Sequence, residues 1–97
     1  MAVSNSPTLV SSEKTVTTSG TAVALGTGKV KSVTVVAKVG NTGNIYVGGS
    51  DVATTTNDGL APGDSLEIPA DNWLDLADIY IDADTNGEGV DFYGVKA

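Results

Sequence analysis

The sequence predicts a small all-β domain, an antiparallel β-sandwich or jelly-roll-like barrel of about seven or eight short strands. Valine and threonine are abundant, and helix-forming runs rich in alanine, glutamate and leucine are missing. Twelve glycines divide the chain into short segments in which apolar and polar residues alternate. β-Branched residues with a period of two are typical of half-buried strands, and regularly spaced glycine turns are typical of sandwiches rather than βαβ units.

The first half of the chain is expected to contribute four strands. Residues 15–18 and 22–25 alternate in polarity on either side of a compact turn at Ser19-Gly20. Residues 30–39 form the strongest strand, because valines occupy both of its faces, as expected of a central strand. The GNTG turn that follows favours a hairpin with residues 44–48 as the return strand. The expected inward-facing side chains of these last two strands are Val33, Val35, Ala37, Val39, Ile45 and Val47.

The second half is expected to contribute three further strands with one helical turn between the first two. The strands are residues 64–68, 78–82 and 90–95, with Leu66, Ile68, Ile79 and Ile81 inward. Pro69 is expected to end the first of them, because proline cannot donate a ladder hydrogen bond. Residues 70–77 are the one segment where a helical turn is expected, with Asp71 as its N-cap.

At 97 residues the chain is one small domain, with residues 13–97 as the sandwich and residues 1–12 as a flexible N-terminal arm. Its core depends on valine, isoleucine and leucine, since the chain has one phenylalanine and one tryptophan. We therefore expect oligomerisation, or docking on a larger body, to supply part of the buried surface. We find no membrane-span pattern and no signal-peptide pattern in the sequence.

The composition excludes most catalytic and redox chemistry. Cysteine and histidine are absent, and all five basic residues are lysines. Disulfides, thiolate nucleophiles, zinc sites and Ser-His-Asp triads are therefore impossible. A net charge of −7 without arginine also argues against nucleic-acid binding. We expect no enzyme activity, no cofactor, and no nucleic-acid or membrane partner.

The charge is unevenly distributed along the chain. Residues 1–50 hold one acid and four lysines, a net +3, whereas residues 51–97 hold eleven acids and one lysine, a net −10. The acids could simply solvate exposed turns and strand faces. Alternatively, the two halves could pair with each other, or opposite charges could meet in an assembly.

Two acidic clusters are candidate sites. The segment DADTNG over residues 82–87 has the oxygen ligands and glycine of a calcium loop, but Tyr93 stands where the loop needs a bidentate glutamate. A hairpin turn is the simpler interpretation, and a weak divalent-cation site at Asp82, Asp84 and Glu88 is the alternative. Aspartates 71, 75, 78 and 82 could support glycoside hydrolysis only in an apolar cleft with aromatic walls, for which five aromatics in a thin sandwich leave little room.

The aromatic residues suggest a binding role instead. Tyr46 and Tyr80 fall on the strand faces opposite the isoleucines at 45 and 79, so both are expected to point away from the main core. Together with Trp73 they are the candidate residues for a protein contact or a shallow sugar platform. Alternatively, the tyrosines cover the second face of a sheet or pair across strands.

Most of the chain resembles small virion proteins of tailed bacteriophages, of the decoration or head-fibre type. The resembling segments, in order, are VTTSGTAV (residues 16–23), VKSVTV (30–35), NTGNIYVG (41–48), GLAPGDSL (59–66), DIYIDA (78–83) and NGEGV (86–90). The resemblance implies a β-sandwich or jelly-roll module that is made in the bacterial cytoplasm and assembled in many copies on the virion. Its implied partners are the major capsid protein or another virion protein, and a homo-oligomer, with a trimer as one option.

Three functions follow from these observations. The first is a capsid decoration protein that bridges capsid subunits, with the N-terminal arm adding a strand to a neighbour. The second is a tail or fibre module that binds host-surface glycan or protein through Trp73 or the tyrosines. The third is a hydrolase that uses the aspartate cluster, for which Asp75→Asn or Asp78→Asn should abolish turnover of a polysaccharide.

Overall fold

The computed structural model describes residues 8–97, which form seven strands and one 3-10 turn, and all strand pairs are antiparallel. The strands are β1 (Leu9–Val16), β2 (Val23–Ala24), β3 (Lys29–Ala37), β4 (Ile45–Gly48), β5 (Ser65–Asp75), β6 (Tyr80–Ala83) and β7 (Glu88–Lys96). A four-stranded sheet has the order β1-β7-β3-β5, and a three-stranded sheet has the order β2-β6-β4. The predicted all-β antiparallel sandwich is therefore confirmed. The hairpins expected at the GNTG turn and at residues 82–87 were wrong, because β3 and β4 lie in different sheets, and so do β6 and β7.

The core consists of the inward-facing side chains of both sheets. Its fully buried members include Val16, Val33, Val35, Ile45, Ile81 and Val90, and Phe92 is 3% exposed. The inward positions expected for the strongest strand are confirmed except at Val39, which follows the end of β3 and is 84% exposed. β3 is central in its sheet, because it pairs with β7 on one side and with β5 on the other.

The β5 region differs from the prediction. Pro69 does not end the strand, because β5 is the edge of its sheet, where a missing N–H need not break a ladder. The strand continues to Asp75, and the short 3-10 turn Leu76–Asp78 follows. Asp75 caps this turn by accepting a hydrogen bond from Ala77 N at 2.9 Å, so Asp71 as the N-cap was wrong. Leu66 was expected inward, but it is 40% exposed at this edge position.

The N-terminal boundary of the domain is also earlier than expected. Residues 9–12 were assigned to a flexible arm, yet they form the first half of β1 and pair with the end of β7, from Leu9 opposite Val95 to Ser12 opposite Phe92. The segment LVSSEK lacks a clean apolar alternation, so only its partner strand defines it as a strand. Residues 1–7 of the expected arm lie outside the described part of the chain.

The sheet order brings the two oppositely charged halves of the chain together. β3, from the lysine-bearing half, lies between β5 and β7, from the acidic half. Lys38 Nζ lies 2.8 Å from Asp91 Oδ1 and 2.7 Å from Glu13 Oε1. The hydrogen bonds to Asp91 and Glu13 hold the pKa of Lys38 above its ordinary value of 10.5. One ion pair, between Lys38 and Asp91, therefore joins the two halves within the molecule, whereas Glu13 belongs to the same half as Lys38.

Candidate functional site

The acids considered for a divalent cation lie at the end of the sandwich where β6 leads into β7. Asp82 is in β6, Glu88 begins β7, and Asp84 lies in the connection between them. The loop over residues 41–44, which precedes β4, packs against this connection. We call this end of the sandwich, formed by Asp82, Asp84, Glu88 and the 41–44 loop, the acidic end. The hydrogen bonds of its carboxylates determine whether they are available to bind a cation.

Glu88 binds the backbone of the 41–44 loop with both of its carboxylate oxygens. Oε2 accepts hydrogen bonds from Thr42 N at 2.7 Å and Thr42 Oγ1 at 2.8 Å, and Oε1 accepts one from Gly43 N at 3.0 Å. These bonds require the ionised carboxylate, and the Gly43 and Thr42 amides lower the pKa of Glu88 below its ordinary value of 4.5. Glu88 therefore holds the 41–44 loop against the start of β7.

Asp84 holds the same loop from the other side. Its Oδ2 accepts a hydrogen bond from Asn44 N at 3.0 Å, and its Oδ1 accepts one from the Tyr46 hydroxyl at 3.0 Å. Burial, followed by this bond to Asp84, raises the pKa of Tyr46 above its ordinary value of 10. Both oxygens of Asp84 thus accept hydrogen bonds, one from the loop before β4 and one from β4 itself.

Asp82 and Asn41 complete the network as buried polar groups. Asp82 is 2% exposed, and its Oδ1 accepts hydrogen bonds from Gly20 N at 3.0 Å and Ala83 N at 2.8 Å. The Asn41 side chain donates to Gly89 O at 2.8 Å and accepts from Gly89 N at 3.3 Å. Within residues 8–97, no buried side-chain nitrogen or oxygen lacks a partner. Buried polar groups that are fully satisfied in this way rigidify a structure.

The carboxylates of the acidic end are therefore directed at N–H and O–H donors rather than at a common point. Residues 8–97 contain no group of three acids placed to hold a metal ion. Residues 84–87 connect the two sheets rather than turning a hairpin, and Asp82, Asp84 and Glu88 each hold a loop by hydrogen bonds. Sequence alone could not show this, because the donors are the backbone amides of loops about 40 to 60 residues away along the chain.

We predict that Glu88→Gln removes a pH-dependent stabilisation of the acidic end. Because the folded-state pKa of Glu88 lies below 4.5, the ionised side chain stabilises the fold above pH 4.5, and this contribution is lost as pH falls through the folded value. Urea unfolding of wild type and variant from pH 3 to 7 should show a stability difference that is largest at neutral pH and shrinks in acid.

The matched control is Glu67→Gln, which changes an exposed glutamate of β5. Its free energy of unfolding at neutral pH should stay within about 0.5 kcal/mol of the wild-type value, because the side chain is exposed. If the free energy of unfolding of Glu88→Gln depends on pH as that of wild type does, the hydrogen bonds of Glu88 do not stabilise the fold.

The hydrolase aspartates do not converge on a cleft. Asp75 serves as the cap of the 3-10 turn, whereas Asp71 and Asp78 are exposed. Asp82 is held at the acidic end by two amides. The structure thus does not bring these four aspartates together in one site.

The three aromatic interaction candidates lie in different environments. Tyr46 is only 7% exposed, so its expected availability at the surface was wrong. The loop that contains Gly59 covers its ring, and an added Cβ there would lie 3.0 Å from Tyr46 Cε2. Tyr80 is half-buried beside Gly48 and Ala24 in the three-stranded sheet. Trp73 is 50% exposed on β5, with Lys29 Nζ 4.3 Å from its ring centroid.

Two exposed apolar residues were missed as candidates, namely Tyr93 and Leu9, which are 51% and 72% exposed. Tyr93 lies in the middle of β7 opposite Ser11 of β1 and Thr34 of β3. The alternation of β7 could have revealed it, since buried Val90 and Phe92 place residue 93 on the opposite face. No comparable signal pointed to Leu9, because its strand was not recognised.

The outer face of the four-stranded sheet carries exposed Leu9, Trp73 and Tyr93. A shallow depression on it is lined by Ser11, Glu13, Lys38 and Tyr93, among others. No helix within residues 8–97 is long and apolar enough to cross a membrane. Comparisons with models of known protein families, with curated proteins and with solved structures found no significant match.

Proposed function

We propose that this protein is a non-enzymatic structural component of a tailed-bacteriophage virion, and specifically a capsid decoration protein that binds the major capsid lattice in many copies. The proposal rests on which side chains are engaged in hydrogen bonds within the molecule and which are exposed. The acids of the acidic end hold loops by hydrogen bonds, while the exposed side chains of Leu9, Trp73 and Tyr93 lie on one sheet face. Such a surface suits packing against other proteins.

The rigid acidic end supports the same role. Decoration of a lattice requires loops that keep one shape, because ordering mobile loops on binding costs free energy. Glu88 and Asp84 hold the 41–44 loop through four backbone or hydroxyl donors. The resemblance to phage virion proteins adds the setting: synthesis in the host cytoplasm, followed by assembly on the particle with the major capsid protein or another virion protein as partner.

The experiment compares particles of the encoding phage, prepared with and without this gene. Purified protein should cosediment with the deficient capsids, saturate at a fixed ratio to the capsid subunit, and raise the capsid melting temperature measured by scanning calorimetry. Absence of the chain from purified wild-type virions, or binding that leaves capsid melting unchanged, would contradict the decoration role.

The second candidate is a tail or fibre module that binds host-surface glycan or protein. Half-exposed Trp73 and Tyr93 on one sheet favour it, because exposed aromatic rings beside carboxylates and hydroxyls can stack on sugars. A glycan array separates the two functions. Binding that is lost in Trp73→Ala would support the fibre role, and an array without signal would count against it.

A further inference from the structure

We propose that the free edge of β1 is a self-association site, at which two copies of this chain pair their β1 strands antiparallel around a two-fold axis. The axis is perpendicular to the sheet, so the two four-stranded sheets continue into one another and their outer faces stay on the same side. This pairing follows from the hydrogen-bonding pattern of the sheet and goes beyond the virion role. It uses the edge of the sheet and leaves the outer face open for the capsid.

The backbone groups of β1 point alternately to β7 and to the open edge. Lys96 N donates to Thr8 O at 2.8 Å, and hydrogen-bonded pairs recur at every second residue of an antiparallel ladder. Lys38 N donates to Gly89 O at 3.1 Å, which directs the odd-numbered residues of β7 to β3 and the even-numbered ones to β1. The residues of β1 whose N–H and C=O groups point to the open edge are therefore Leu9, Ser11, Glu13 and Thr15.

The opposite edge of the same sheet, β5, is closed to strand pairing. Ala37 N donates to Asp64 O at 2.9 Å, so the same alternation makes Pro69 one of the outward-pointing residues, and proline has no N–H to donate there. Beyond Pro69, residues 70–73 of β5 stand opposite the single residue Lys31 of β3, which interrupts the edge. Proline and bulges are the usual means by which a sheet edge is protected from pairing.

The edges of the three-stranded sheet offer less than β1 does. Ile45 of β4 exchanges two hydrogen bonds with Leu60, at 2.9 and 2.7 Å, which covers the start of that edge. β2, at the other edge, is two residues long. β1 is eight residues long and has no bulge in its pairing with β7, so it is the longest regular edge in residues 8–97.

The β1 strand is complementary to itself when the two-fold axis passes through Ser12. Ser11 then lies opposite Glu13 of the second copy, and Leu9 lies opposite Thr15. All four outward-pointing residues of each copy thus form hydrogen-bonded pairs, and each pair exchanges two N–H···O bonds. An axis at Ser11 would pair residues 9–13 alone.

The charged side chains of β1 are compatible with this register. Glu13 faces an uncharged serine, and its carboxylate already lies 2.7 Å from Lys38 Nζ within its own copy. Lys14 lies opposite Val10 of the second copy. An axis at Glu13 would bring the two glutamates together, and an axis at Lys14 would do the same to the lysines, so like charges disfavour both alternatives.

The size of the contact predicts a weak, reversible dimer. Eight residues at about 3.3 Å each, on a sheet edge about 10 Å thick, give roughly 250 Å² per copy. Two copies would bury on the order of 500 Å², less than a stable complex requires, so backbone hydrogen bonds supply most of the specificity. We therefore expect a dissociation constant of roughly 0.1–1 mM.

The test is a series of proton–nitrogen correlation spectra of the full-length chain from about 50 μM to 2 mM, a range that spans the expected dissociation constant. The amide signals of Leu9, Ser11 and Glu13 should move with concentration. Those of Ser65 and Glu67, which point outward from the closed edge β5, should not. Over the same range, the mass from sedimentation equilibrium should rise from 9.7 kDa toward twice that value.

Ser11→Pro tests the edge directly, because it removes an N–H that points away from β7. The variant should remain folded by circular dichroism and should dimerise about tenfold more weakly or worse, since the two-fold axis removes the bond twice. Ser11→Ala is the matched control, because it removes the hydroxyl and keeps the N–H, and it should dimerise like wild type.

Two further variants test the register and take the place of Ser11→Pro if that protein unfolds. Ser11→Lys places an ammonium group opposite Glu13 of the second copy and should tighten the dimer, whereas Ser11→Glu should weaken it, each by roughly 2- to 30-fold. Equal affinities for these two variants would contradict the register.

The proposal is overturned if the wild-type spectrum is unchanged at the highest concentration, or if the concentration-dependent signals belong to β5 or the acidic end. A folded Ser11→Pro protein that dimerises normally has the same consequence. These results are independent of capsid binding. A protein that stays monomeric but still binds deficient particles would remove the dimer and leave the proposed function standing.

Discussion

Gly89→Ala is expected to separate β1 from β7 and to destabilise the domain by about 3 kcal/mol. A Cβ at position 89 would collide with Lys14 O and lie 2.9 Å from Thr15 Cα, and both atoms are backbone of the adjacent strand. A flexible side chain could move aside, but a paired backbone cannot do so without breaking its ladder. The same glycine also bonds the buried Asn41 side chain through both its N–H and its carbonyl.

Urea unfolding measures this effect, with Gly40→Ala as the matched control. A Cβ at Gly40 has no atom within 4 Å, and Gly40 does not have a positive φ. The control should therefore change the free energy of unfolding by no more than about 0.5 kcal/mol. If both alanine variants unfold at the urea concentration of wild type, the close contact between β1 and β7 is wrong.

Ile81→Ala is expected to cost about 2–5 kcal/mol, a large part of the 5–15 kcal/mol that stabilises a typical domain. Ile81 is fully buried in β6, the central strand of the three-stranded sheet, between Val23 of β2 and Val47 of β4. Loss of the side chain would leave a cavity between the sheets that short neighbouring strands cannot easily close.

Two comparisons make the Ile81 prediction specific. Ile81→Val removes one methylene and should cost about 0.5–1.5 kcal/mol by urea unfolding. Val39→Ala truncates a residue that is 84% exposed and should stay within about 0.5 kcal/mol of wild type. Equal losses at positions 81 and 39 would contradict the assignment of the core.

Much of the fold could be predicted because period-two patterns report burial directly. β3 and β4 follow from the alternation of their valines and isoleucines, but the hairpin expected between them was wrong, because the two strands belong to different sheets. β1 was placed too late, and β5 was ended too early at Pro69. Both are edge strands, and their apolar residues alternate less regularly than those of β3. Their bounds are therefore set by pairing with the neighbouring strand, which the local sequence does not show.

The candidate site could be predicted less well than the fold. Asp82, Asp84 and Glu88 were correctly noticed as a cluster in sequence, but their partners are amides in loops distant along the chain. Tyr46 has the outward position that its strand predicts, and a loop then covers it. Long-range loop packing leaves no periodic signal, so neither fact could be inferred from neighbouring residues.

The all-β class, the lack of cysteine and histidine chemistry and the uneven charge of the two halves all follow from the amino-acid sequence. These properties depend on composition and local alternation, which every short segment carries. The position of β3 between the acidic strands β5 and β7, and the hydrogen bonds by which the acids hold loops, follow only from the folded structure. It also placed Leu9, Trp73 and Tyr93 on one open sheet face. Those outcomes depend on which distant strands pair and in which register, because a shift of one residue would reverse every side chain between core and solvent.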